Sequence, residues 1–88
     1  MRRYLRNPQT AGRVIDGQAF IVTPDDNKLH TLNGAATQLW QLAASAISID
    51  DAVAALTREY EVDRETAQHD AEACLDDMVA RQILVVEA

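Results

Sequence analysis

The chain has few of the residues that mark a covalently braced or hinge-rich protein: of 88 residues, one is cysteine, two are proline and three are glycine. A lone Cys74 forms no internal disulfide, so stability must come from packing, and an unpaired thiol agrees with a reducing compartment. Three glycines are too few for a phosphate-cradling loop. The apolar runs are only a few residues long, far short of the roughly 20 that cross a bilayer. The basic start at Arg2 and Arg3 is not followed by the apolar stretch of a secretory signal. A cytoplasmic location is the expectation, with no membrane partner.

Cations are also scarce, and unevenly placed. Four of the eight (Arg2, Arg3, Arg6 and Arg13) precede the first acid, Asp16, so residues 16–88 hold 14 acids against four cations, a net charge of −10. Such a surface repels phosphate backbones and suits a basic or mixed-charge partner. Residues 1–12 read as a flexible, basic, solvated arm. Residues 13–88, in a chain that is 48% hydrophobic and 25% charged, read as one domain with a modest core, a chain of this size burying only about 60–65% of its unfolded surface.

Two runs rich in Val, Ile and Phe, Arg13–Asp16 and Gln18–Thr23, meet at Gly17 and predict a hairpin. The Pro24-Asp25-Asp26-Asn27 cluster turns the chain into a third strand, Lys28–Leu32. At Asn33 the period changes. Asn33 suits an N-cap, and Ala35, Ala36, Leu39, Trp40 and Ala43 recur at helical spacing, predicting a helix to about Ala44. Ser48 with Asp51 forms a short relative of the capping box, Ile47 and Ala52 a staple, and Val53, Leu56 and Tyr60 the buried face of a second helix. Asp63 caps a third, with Val62 and Ala67 in staple positions.

On that third helix Ala67, Ala71, Cys74, Leu75 and Met78 share an apolar stripe, flanked by Asp70, Asp77 and Arg81 on one shoulder and Gln68, Glu72 and Val79 on the other. The β-branched run Ile83–Val86 predicts a short closing strand. The expected fold is α+β and winged-helix-like: a three-stranded antiparallel meander, three helices and a C-terminal strand, βββαααβ.

Catalytic and metal chemistry leave clusters of ligands or acid–base groups at fixed spacing. His30 and His69 are far apart, with no HExxH or CxxC pattern. Cys74 sits mid-stripe, where a thiol packs as a small hydrophobe. The pairs Asp25-Asp26, Asp50-Asp51 and Asp76-Asp77 do not face one another on a helix, and Asp50 and Asp51 instead suit a helix N-terminus. The expectation is a protein that is not an enzyme and carries no cofactor or metal. Nucleic-acid binding, common for winged helices, meets a third helix with Arg64 and Arg81 against Glu65, Asp70, Glu72, Asp76 and Asp77, the wrong sign for phosphate.

What remains is a sheet edge. An outer strand of a meander presents unpaired N–H and C=O groups, and an extended peptide adds there as another strand. Lys28–Leu32 lacks proline, and the third helix beside it would supply an apolar groove. From the residues alone this strand is equally well read as a structural edge guarded by Lys28, and two chains could pair through it as a homodimer. An acidic interaction subunit that binds through its helix shoulders is the competing class.

The segment Lys28-Leu29-His30-Thr31-Leu32-Asn33-Gly34-Ala35-Ala36-Thr37-Gln38-Leu39-Trp40 resembles the strand-to-helix signature of the PqqD family of peptide chaperones, also called RiPP recognition elements. Ile49–Tyr60, the acidic helix after Asp63 and the Ile83-Leu84 ending extend the resemblance over roughly Arg13 to Val86. It implies a non-catalytic module that binds the leader of a ribosomally made precursor peptide and presents it to a modifying enzyme, typically a radical SAM enzyme. The leader would add along Lys28, Leu29, His30, Thr31 and Leu32. Its side chains would meet the third helix at Asp70, Ala71, Cys74, Leu75, Asp77 and Met78, Asp70 and Asp77 pairing with leader Lys or Arg. Members dedicated to pyrroloquinoline quinone carry a Leu-Asn-x-Ser-Ala type of junction. Here Gly34-Ala35-Ala36 follows Asn33, which leaves the pathway open between that cofactor and another modified peptide.

Overall fold

Turn chemistry fixes the meander before any packing does. A computed structural model, which describes residues 2–87, places Asp16 and Gly17 at φ of 53° and 76°, the two left-handed positions of a type I′ turn whose twist matches the strands it joins. They link β2 (Ala11–Ile15) to β3 (Gln18–Thr23) in antiparallel register, Ile15 opposite Gln18 and Ala11 opposite Val22. The turn at Asp25–Asn27 then returns the chain as β4 (Lys28–Thr31), with Thr23 opposite Lys28 and Phe20 opposite Thr31. The sheet order is β2-β3-β4.

The three helices start where the caps predict. Asn33 accepts from the Ala36 N–H at 2.9 Å and opens α1 (Gly34–Leu42), which stops two residues short of the expected Ala44. Ser48 and Asp51 form a complete capping box for α2 (Ile49–Glu59), and Ile47 and Ala52 are both buried. Asp63 caps α3 (Arg64–Ala80) by accepting from the Thr66 N–H at 2.7 Å. α3 ends with the Ile83 N–H on the Met78 carbonyl and the Gln82 N–H on the Val79 carbonyl, the paired bonds of a Schellman motif.

The N-terminus corrects the sequence expectation. The segment read as a solvated arm contains β1 (Arg3–Arg6), which pairs antiparallel with β5 (Leu84–Glu87) in a separate two-stranded ladder, Tyr4 opposite Val86. β5 starts one residue later than expected and joins β1, not the meander. The other side of β1 bonds the α1–α2 connection, through Tyr4 and Ile47 at 2.7 and 2.8 Å and from the Arg6 N–H to the Ala43 carbonyl at 2.9 Å. Tyr4 is 2% exposed. Three arginines in six residues hid the strand, and two of them are absorbed by aromatics: the guanidinium carbons of Arg2 and Arg6 lie 5.4 and 3.7 Å from the Tyr4 and Trp40 ring centroids. β2 likewise begins at Ala11, inside the supposed arm.

The core lies between the inner face of the meander (Ala19 and Ile21) and the helices, where Leu39, Val53, Leu75 and Met78 are buried. Two contacts set its tolerances. A Cβ on Gly12 would stand 2.7 Å from Trp40 Cζ2 and 2.9 Å from Ile21 Cγ1, so β2 crosses Trp40 at a distance only glycine permits. The buried Thr37 hydroxyl accepts from the Ala19 N–H at 3.0 Å and donates to the Leu32 carbonyl at 3.2 Å. Gly12→Ala should therefore destabilise the fold by about 1–3 kcal/mol through overpacking, whereas Gly34→Ala, which meets nothing closer than the Tyr60 hydroxyl at 3.5 Å, should not; urea melts compare the two. By the same measure, Thr37→Val should cost about 1–3 kcal/mol by stranding two backbone groups, and Thr37→Ser should recover most of it.

Candidate functional site

The backbone of β4 has two sides, and one hydrogen bond shows which is which. The Leu32 N–H donates to the Ala19 carbonyl at 2.9 Å, one step past the β3–β4 register. Antiparallel strands alternate between residues bonded to the partner and residues turned from it. His30 and Lys28 therefore face β3, and the N–H and C=O groups of Leu29 and Thr31 point to the outer edge. Their side chains follow the pleat: His30 shares the inner face with Ile21, while Leu29 and Thr31 share the outer face with Val22 and Phe20.

The Thr37 and Asn33 bonds hold the end of β4 directly against the start of α1. Just beyond lies a hollow of about 240 Å³, lined by Ala35 of α1, Leu56 and Tyr60 at the end of α2, Val62, and Ala67 and Asp70 of α3. Its walls are apolar except for the Asp70 carboxylate. Tyr60, expected on the buried face of α2, is instead 43% exposed, as is Val62 at 37%. The sequence reading missed this contribution of α2. Its signal was the Val62–Ala67 staple, since both residues line the hollow.

The structure sorts the α3 candidates by depth. Ala71, Leu75 and Met78, with Leu32 of the strand junction, lie in the core, so they support the surface without presenting side chain to it. Asp70, Cys74 and Asp77 follow at i, i+4 and i+7 along one margin, with Cys74 half-covered and the two carboxylates open. Asp70 reaches the hollow, while Asp77 pairs with Arg81 at 3.1 Å. The opposite shoulder turns toward β1, where Asp76 lies 3.4 Å from the Tyr4 hydroxyl and 3.9 Å from Arg2. Among the described residues α3 and β4 are not a closely packed pair. In place of the expected strand–helix groove, the hollow lies at the junction of α1, α2 and α3.

His30 is partly buried, its Nε2 3.0 Å from the Thr23 hydroxyl, which donates in turn to Asp26. With that proton committed to the carboxylate, Nε2–H is the donor of the pair and the ring is held in place. The hydrogen bond from Thr23 holds the Asp26 carboxyl below its ordinary value. His69 is exposed, 3.8 Å from Asp70. No group of three or more His, Cys, Asp or Glu side chains that could hold a metal occurs among the described residues, and none of their helices is long and apolar enough to cross a membrane. Burial pushes the Cys74 thiol up, Asp77 adds to the rise, and Arg81 offsets part of it.

A three-stranded meander with an open edge, packed on three helices, defines a winged-helix-like α+β module. The chain belongs to the family of coenzyme PQQ synthesis protein D, whose model matches residues 18–84. Two solved structures share its fold. TbiB1 in complex with the TbiA(beta) leader peptide is 20% identical over 91% of this chain and 93% of that one, with a TM-score of 0.84. Lasso peptide synthetase B1 complexed with the leader peptide is 22% identical over 93% and 96%, with a TM-score of 0.81. No curated protein matches significantly.

A raised, half-covered thiol should react slowly, because the thiolate is the nucleophile. At neutral pH Cys74 is expected to alkylate with iodoacetamide more slowly than a free cysteine, and Asp77→Asn should speed it; a wild-type rate equal to that of free cysteine would contradict this placement.

Proposed function

We propose that the chain binds the leader segment of a ribosomally made precursor peptide by strand addition to β4 and presents it, in the cytoplasm, to a peptide-modifying enzyme, a radical SAM enzyme being the type expected. The observation that carries this reading is the outer edge of β4, with the backbone groups of Leu29 and Thr31 turned outward, on a strand tied at its end to α1, the helix that contributes Ala35 to the hollow. Family membership and the leader-bound state of both structural neighbours support it. Main-chain bonds to Leu29 and Thr31 would supply sequence-tolerant affinity. Leader residues opposite His30 and Leu32 turn inward, and one of them, if apolar, reaches the hollow. A Lys or Arg near it meets Asp70 and the net −10 of residues 16–88. The Asn33-Gly34-Ala35-Ala36 junction, without the serine of the quinone-cofactor type, leaves the peptide open between that pathway and another modified peptide.

Thr31→Pro tests the edge. It removes an N–H that points away from β3 and so spares the ladder. Leader affinity measured by calorimetry should fall about tenfold or more, with the circular-dichroism spectrum and melt close to wild type, whereas His30→Pro, which breaks a bond to β3, should unfold the meander. Asp70→Asn should cost a basic leader about two- to fivefold, an effect that salt diminishes. A folded Thr31→Pro variant that binds the leader as tightly as wild type would rule out this edge.

A further inference from the structure

A solvated face of an antiparallel sheet normally carries polar side chains. The face of the meander turned away from the helices has only Arg13, Gln18 and Thr31 as polar strand residues. Register places Ile15, Phe20, Val22 and Leu29 there, with Arg13 as the one charged residue among the strand positions of that face. Ile15, Val22 and Leu29 are 49%, 42% and 64% exposed, and a shallow depression of about 330 Å³ runs between Ala11, Arg13, Phe20, Val22 and Leu29. Contiguous apolar exposure of this kind marks an interaction surface.

We propose that this outer face docks the modifying enzyme, through an apolar patch on the enzyme that carries a carboxylate opposite Arg13; the assignment rests on the presentation role proposed above. Continuity with the β4 edge is the first argument. Leu29 belongs to both surfaces: its N–H and C=O line the edge that takes the leader, and its side chain lies on the outer face. A peptide strand added to β4 places each residue opposite Leu29 or Thr31 on this same face. The leader therefore widens the apolar surface by one strand, and an enzyme seated there touches carrier and peptide together.

Charge selects the occupant. Arg13 is the one charged strand residue of this face, which holds no acid among its strand positions, so an anionic group on the partner is matched here. A second copy offers the face an arginine in place of a carboxylate, and an anionic lipid surface is repelled by the net charge. Neither occupant makes use of the adjoining leader strand.

The test uses the full chain, tagged, in the cell that produces the precursor, with the captured enzyme identified by mass spectrometry, purified and titrated back. Ile15→Thr/Val22→Thr and Arg13→Glu change the face and leave the β4 edge intact. Both variants should bind a synthetic leader as wild type does, and both should bind the enzyme at least about tenfold more weakly. Leader should tighten the enzyme's binding to wild type. Enzyme binding unchanged in both variants overturns the proposal, as does failure to capture any modifying enzyme while the leader binds normally. Wild-type self-association that the variants abolish in sedimentation, or wild-type binding to phosphatidylglycerol vesicles, also overturns it by assigning the face to another occupant. If wild type binds the enzyme through this face but fails to bind the leader, the strand-addition reading falls and the docking face stands.

Discussion

One hydroxyl holds the end of β4 in place. Thr37 takes the Ala19 N–H, which the meander has no strand residue to satisfy, and gives its own proton to the Leu32 carbonyl, which α1 leaves unpaired. Both groups are buried, where an unmade hydrogen bond costs about 1–3 kcal/mol. The sheet and the first helix are therefore joined by a polar contact with directional geometry, in addition to apolar packing that tolerates sliding. Because the contact is made at the last residue before the cap of α1, it sets where β4 ends relative to the hollow.

The rest of the architecture leaves that edge open. β1 and β5 pair with each other and with the α1–α2 connection, so the chain ends are held on the side of α3 that Glu72 and Asp76 face. Arg6 lies over Trp40 while its Nε donates to the Trp40 carbonyl at 2.9 Å. Gly12 lets β2 cross the same ring. Two of the four early arginines, Arg2 and Arg6, are thus engaged in closing the fold. Arg13 lies apart from them, on the outer face of the meander.

Much of this was legible in the sequence because it is local. The caps at Asn33, Ser48 and Asp63, the turn at Asp16-Gly17 and the period change after Leu32 each specify structure within about four residues. What escaped depends on distant partners. β1 has only Tyr4 and Leu5 as apolar residues, and its strand character comes from β5, some 80 positions away. Tyr60 fits the helical period of a buried residue, yet α2 ends beside it and leaves it at the hollow's rim. The stripe on α3 was read correctly as apolar, but a stripe does not reveal which of its members the core will cover. Ala71, Leu75 and Met78 went inward, and Asp70 and Cys74 kept the margin.

The division between backbone and side chain also constrains what such a module can select. Bonds to Leu29 and Thr31 are available to any extended chain free of proline at the bonded positions, so on their own they would bind indiscriminately. On the proposed strand addition, discrimination would come from the inward-facing residues, with the apolar hollow favouring apolar volume and Asp70 a neighbouring cation. Outward-facing peptide residues touch little of this chain and are left for whatever covers the outer face. On that proposal, pairing would separate two messages on one peptide by the parity of its residues: alternate side chains would be read by the carrier, and those between them would stay exposed to its partner.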